Sequence, residues 1–242
     1  MFAAASGMAA EQQNLDVIAS NLANADVVGF KSAIATFAPV GPNAQFGTTS
    51  AGVRALFTQG KLEKSGGPFD VAIDGAGFFT VERDGVRGYT RAGAFARLAD
   101  GSLRNPDGWR LCGVRIPANA QTVGVEADGT VRVTGAQSAA GAPDVPQPVG
   151  RIALVGFSSP EALRLVDASV FVETRGSGSA RPSAAGGEHQ PKIAFGMLEK
   201  SNVSIVESMM AILAAQRAYE ANAKGVQAAD EMLRIANNLH RS

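Results

Sequence analysis

The sequence predicts an α+β protein whose N- and C-terminal helices pair as a coiled coil, with a central antiparallel β-rich domain between them in the chain. Three observations carry this reading. Apolar residues recur every seven positions near both ends. Between them the periodicity changes to two. Asp-Gly pairs punctuate those alternating runs, as the tight turns of antiparallel hairpins require.

The first element is a helix within residues 1–31. In SGMAAEQQNLDVIASNLANADVVGFK, Met8, Leu15 and Leu22 stand seven apart, and Ile18 takes the intermediate d offset. Alanines at 3, 4, 5, 9, 10, 19 and 23 permit close helix approach but bury little area. Asn24 is positioned as a left-handed C-cap, and Val27-Val28-Gly29 marks the helix as ended. Residues 32–56 then read as a linker, with Gly41 to Gly52 rich in Gly, Ala and Pro.

Residues 57–175 read as the β-rich domain. The pairs Asp74-Gly75, Asp84-Gly85, Asp100-Gly101, Asp107-Gly108 and Asp128-Gly129 mostly flank runs such as GFFTVE, VRGYTR, GTVRVT and GRIALVGF. Gly135 to Gly150 reads as a loop, and residues 176–200 as a Gly/Ser/Pro-rich linker. Aromatics are only 6%, so the expected core is built from small and β-branched side chains.

The last element is one long helix over residues 201–242. Ser204 and Glu207 form an S-x-x-E capping box before an apolar run beginning at Val206. Ile205, Ile212, Tyr219, Val226 and Leu233 repeat every seven residues, and Ser208, Ala215, Asn222, Ala229 and Ala236 follow them at an offset of three. Met209 joins the same apolar set. A lone helix of this kind leaves its stripe in water, so it requires partners. The expected assembly face is therefore Met8, Leu15, Ile18, Leu22, Ile205, Met209, Ile212, Ala215, Tyr219, Val226, Ala229, Leu233 and Ala236.

Composition excludes several functions. Lys plus Arg equals Asp plus Glu at 22 each, so no global field draws nucleic acid or an anionic membrane. Cys112 is the only cysteine, which rules out an intrachain disulfide. No apolar run reaches the roughly 20 residues that span a bilayer, and the start of the chain lacks the pattern of a cleavable signal. Catalytic groups are sparse: His189 lies in a Gly-rich stretch and His240 two residues from the end. The Asp residues of the Asp-Gly pairs are explained by turn chemistry and match no calcium loop. Gly176-Ser177-Gly178-Ser179 lacks the strand, helix and Lys of a phosphate loop and reads as a flexible linker. Trp109 and Cys112 read as structural, and Tyr219 as a packing contact. Neither an enzyme site, nor a metal, nor a cofactor is expected.

Three segments resemble one family. The N-terminal stretch resembles the signature S-G-x-x-A-x-x-x-x-L-D-V-I-A-x-N-L-A-N, followed by G-F-K, of bacterial flagellar axial proteins, the rod and hook family. FDVAIDGAGFFTVERDGVRGYTRAGAFARLADGSLRNPDGWRL is similar to that family's shared β region, and SNVSIVESMMAILAAQRAYEANAKGVQAADEML to its C-terminal helix. SNVSIVE, QRAYEANAK and IPANA bring the chain nearest to the distal rod branch, while the short segment from Lys31 to Phe57 is a feature expected of the proximal rod.

The resemblance implies a structural subunit of the basal-body rod that polymerises with itself into a helical tube transmitting motor torque to the hook. The implied partners are other rod proteins, the hook protein, the surrounding rings and the flagellar type III export apparatus. Export without cleavage would carry the chain to a rod crossing the periplasm. Its terminal helices are expected to order only on assembly. The resemblance leaves a proximal rod or hook-family subunit as the alternative, and a competing reading of the residues alone is a β-domain binding module or hydrolase dimerised by its C-terminal coiled coil.

Overall fold

The computed structural model describes residues 2–40, 47–135, 145–183, 185–186 and 190–239. The chain divides into two compact units.

The first unit comprises residues 1–25, 32–56 and 203–242. Helix α1 (Phe2–Ala23) packs against helix α2 (Ile205–Leu239) and against a hairpin of β1 (Ala33–Pro39) and β2 (Thr48–Ala55). The segment read as a linker is therefore largely strand. Gly and Ala suggested a loop there, but IATFA and TSAGVRA pair in antiparallel register from Ala33 opposite Ala55 to Pro39 opposite Thr48. Residues 41–46 of the expected loop lie outside the described residues.

Both helix ends differ in detail from expectation. Asn24 does not adopt the left-handed conformation; Asp84 is the non-glycine residue with positive φ among those described. Asn24 instead ends α1 with its side chain, whose Nδ2 donates to the Ser20 carbonyl at 2.8 Å. Helix α2 begins at Ile205, not Ser201, because Ser204 is its N-cap: Ser204 Oγ accepts from the Glu207 N–H at 3.3 Å.

The second unit comprises residues 26–31 and 57–202. Its strands are β3 (Leu62–Lys64), β4 (Val71–Asp74), β5 (Phe78–Arg83), β6 (Val86–Thr90), β7 (Ala96–Arg97), β8 (Ser102–Arg104), β9 (Arg110–Arg115), β10 (Thr122–Val125), β11 (Thr130–Thr134), β12 (Gln147–Arg151), β13 (Leu154–Gly156), β14 (Arg164–Asp167), β15 (Val170–Val172), β16 (Arg181–Ser183), β17 (Lys192–Phe195) and β18 (Met197–Glu199). The path β10-β11-β12-β9-β5-β6-β15-β14 runs through a 12-stranded sheet, which β7, β8, β13 and β16 join off the path. The pairs β17-β4 and β18-β3 stand apart, and every pairing is antiparallel. All five Asp-Gly glycines have positive φ, and Asp84-Gly85 closes the two-residue turn between β5 and β6.

The stretch read as a returning linker supplies β16, β17 and β18, and Ile193 enters the core. Its Ser content serves a turn: Ser177 is fully buried, and its Oγ accepts from the Thr174 N–H at 2.9 Å. Gln147 to Gly150 likewise belongs to β12, while residues 136–144 lie outside the described residues.

Alternation drives one face of the sheet inward, so Phe79, Val81, Leu111, Val131 and Leu154 share one core with Trp109, which Val71 and Ile73 of β4 and Ile152 also enter. The aromatics, though few, are concentrated. Phe57, Phe78, Phe157, Phe171 and Tyr89 form a chain of edge-to-face contacts with centroids 4.8 to 5.7 Å apart. The core is thus less uniformly small and β-branched than composition implied.

Candidate assembly face and buried junction

In the helical unit, small residues set the helix approach. A Cβ added to Gly7 of α1 would lie 3.0 Å from Asn222 Nδ2 of α2, so a methyl fits only if the Asn222 side chain shifts by a few tenths of an ångström and a longer side chain would part the helices. Residue 7 is near the start of α1 and residue 222 well along α2, while half-burial on α2 runs from Ser208 to Ala229. An antiparallel pair accounts for both facts. Helix α1 is also tied to the hairpin: Asn21 Nδ2 donates to the Ala33 carbonyl at 2.7 Å, and Asn21 Oδ1 accepts from the Ala33 N–H at 2.8 Å.

Met8, Leu15, Ile18 and Leu22 of α1 are half-buried, as are Ile212, Val226 and Ala229 of α2, and Ala215 is buried. Ile205, Met209, Tyr219 and Leu233 remain exposed, and the Ala236 side chain lies outside the described residues. A second apolar set also faces solvent. Val206, Met209, Met210 and Leu213, at i, i+3, i+4 and i+7, are each more than half exposed. Met232, Leu233 and Ile235 extend the exposed apolar surface towards the C-terminal end of α2.

In the β unit, a buried ionic junction explains GFK. Lys31 Nζ meets Glu199 Oε1 at 2.6 Å, and Arg91 Nη1 meets Glu199 Oε2 at 3.1 Å. The Lys31 and Glu199 side chains are fully buried and that of Arg91 nearly so. The remaining polar groups are mostly supplied by backbone: Lys31 Nζ donates to the Thr58 carbonyl at 2.7 Å, the Gly60 N–H to Glu199 Oε1 at 2.8 Å, and Arg91 Nη2 to the Gly75 carbonyl at 2.7 Å. Arg91 Nε is buried without a hydrogen-bond partner. Burial pulls the Lys31 ammonium below its ordinary 10.5, with Glu199 opposing that shift. The bend into this junction demands Gly29: its φ is +68°, and a Cβ there would lie 2.3 Å from the Ala92 nitrogen.

Sequence reasoning named neither the junction nor the exposed stripe as such. A lysine between the apolar runs VVGF and SAIATF was a signal for Lys31, but its partners are distant in the chain and no local spacing reveals them. His189 and His240 lie outside the described residues. No helix among the described residues is long and apolar enough to cross a membrane.

Comparison with known proteins places these features in a family context. Residues 1–31 match the family model described as flagella basal body rod protein, residues 72–133 the flagellar hook protein FlgE/F/G D1 domain, and residues 195–239 the flagellar basal body rod FlgEFG protein C-terminal. The chain is similar to the flagellar basal-body rod protein FlgG of Borreliella burgdorferi, 34% identical over 267 residues, covering 100% of this chain and 98% of that protein. FlgG of Caulobacter vibrioides is 35% identical over 264 residues, 98% of this chain and 97% of that protein. FlgF of Caulobacter vibrioides is 30% identical over 241 residues, 93% and 91% of the two chains.

Proposed function

Because the chain belongs to the flagellar basal-body rod and hook family, we propose that it forms the distal rod, polymerising into the tube that transmits torque to the hook. It is a structural subunit, not an enzyme. The FlgG-named relatives favour the distal branch, since these three are 34 to 35% identical over at least 97% of the chain, against 30% over 93% for FlgF of Caulobacter vibrioides. On this reading the helices α1 and α2 pair as a coiled coil and pack against those of neighbouring subunits. Heterologous contacts of this kind extend into a helical polymer because they do not close. Other rod proteins, the hook protein and the surrounding rings meet the polymer. The flagellar type III apparatus exports the chain uncleaved to a rod that crosses the periplasm.

The observation that carries this reading is the stripe Val206, Met209, Met210 and Leu213, exposed on a helix whose other face is covered by α1. Fully burying a side chain of this size contributes about 1.5 to 3 kcal/mol, so removing the exposed half of four contributes roughly 3 to 6 kcal/mol per helix. That is a modest gain for one contact and a large one when repeated along a tube. Leu213→Asp tests it by placing a charge on the stripe without touching the α1 pairing. Purified Leu213→Asp subunits should unfold like wild type yet fail to build a rod in cells whose only copy is the variant. A normal rod from that variant would sink the proposal.

A further inference from the structure

The chain passes between the two units at four points, after Ala25, Lys31, Leu56 and Asn202. Inside the β unit, the segments leading to all four are fastened at one place. Residues 26–31 are held at Gly29, whose N–H donates to the Glu199 carbonyl at 2.7 Å, and at Lys31, whose Nζ reaches Glu199 Oε1. The segment after Leu56 is held at the Thr58 carbonyl by Lys31 and at the Gly60 N–H by Glu199 Oε1. The segment before Val203 contains Glu199 itself. It pairs with β3, with Glu199 opposite Leu62, and Asn202 Nδ2 donates to Thr58 Oγ1 at 2.8 Å.

We propose that Glu199, clamped by Lys31 and Arg91, is the load-bearing root of the helical unit, the carboxylate at which every passage of the chain out of the β unit is tied. Three segments far apart in sequence share it, so a pull on any one is passed to the others and, through Arg91, to the sheet after β6. A fully buried, doubly paired carboxylate suits that role. It cannot exchange its partners for water without opening the unit, because leaving either cation unpaired in the interior is costly. Close backbone contact stiffens the same place: a Cβ on Gly60 would lie 1.9 Å from the Lys200 carbonyl oxygen. The load-bearing role rests on the rod reading above, whereas the tie itself does not.

Hydrogen exchange on the purified full chain tests the tie. Lys31→Met removes the charge at similar length, and Lys31→Arg keeps it. In Lys31→Met the amides of Gly29, Gly60 and Lys200 should lose at least about tenfold more protection than those of Phe79 and Val81 on β5, and Lys31→Arg should restore most of it. Equal loss across β5 would reduce the cluster to ordinary stability and overturn the proposal, as would no change at all. If Lys31→Met fails to accumulate, Glu199→Gln keeps the volume and one acceptor, and it should produce the same local pattern at about threefold.

In cells, Lys31→Met subunits should build rods whose motors slow or stall in viscous medium but turn freely at low load, with Lys31→Arg behaving as wild type. Wild-type rotation under load despite loosened amides would overturn the load-bearing role. Cells lacking the chain that still build a complete rod would instead overturn the rod reading, leaving the exchange result to stand by itself.

Discussion

Replacing Glu199 by alanine should be among the most damaging single changes in the β unit. The side chain is fully buried, and its removal strands Lys31, also fully buried, together with Arg91. Breaking a buried ion pair from one side typically costs about 3 to 5 kcal/mol, because the remaining charge stays desolvated. The Gly60 N–H loses its acceptor as well, which keeps the expectation in the upper part of that range. Trp109 is the only tryptophan and is 1% exposed, so its fluorescence reports unfolding of this unit directly. With a urea slope of about 2 kcal/mol per molar, the midpoint should fall by roughly 2 M at unchanged slope. Glu199→Gln should fall by less, since an acceptor remains for Gly60. The triple change Lys31→Met, Arg91→Leu and Glu199→Leu should recover much of the loss, because an apolar cluster strands no charge. A shift below about 0.5 M for Glu199→Ala would refute the reasoning that the junction is dry and tightly paired.

Other expectations follow from the same geometry. Gly7→Leu should separate α1 from α2 at Asn222 and lower the helical circular dichroism signal, whereas Gly7→Ala should be nearly neutral, its added contact at 3.0 Å offset by about 1 kcal/mol of helix propensity. Ile212→Asp, on the half-buried face of α2, should abolish assembly while leaving the Trp109 unfolding midpoint unchanged, and Leu233→Asp should do the same from an exposed position. Asp100 is held below its ordinary 3.8 by the hydroxyl and N–H of Ser102, and Asp128 by the N–H and hydroxyl of Thr130. The unfolded chain therefore binds more protons between the folded and unfolded values. The stabilisation is complete above the ordinary value and lost as pH falls through the folded one. The double change Asp100→Asn and Asp128→Asn should flatten the dependence of urea stability on pH below about 4, and an unchanged dependence would contradict the turn assignment.

Much of the fold was legible because its signals are local. The heptads announce both helices, and each Asp-Gly turn appears with its glycine at positive φ. The misread segments share a physical cause. Gly, Ser and Ala at 48–52 and 176–183 looked like linker composition, but hydrogen bonds to distant strands decide their state. Propensity carries no information about a partner such as β13, which pairs with β16 across an intervening turn and hairpin. The junction was illegible for the same reason at longer range: Lys31 and Glu199 are separated by 168 positions, and either alone looks like a surface charge. The helix termini were legible in kind and wrong in detail. Asn24 uses its amide rather than a left-handed backbone to end α1, a choice that composition cannot distinguish.

In the proposed rod the apolar stripe of α2 is completed by other copies of the chain. Cryo-electron microscopy of basal bodies at side-chain resolution tests it most directly. In such a map Val206, Met210 and Leu213 should be buried against helices of a neighbouring subunit, with Gly7 still against Asn222 within each copy. A rod wall in which that stripe faces solvent, or in which this chain is missing from the rod, would contradict it.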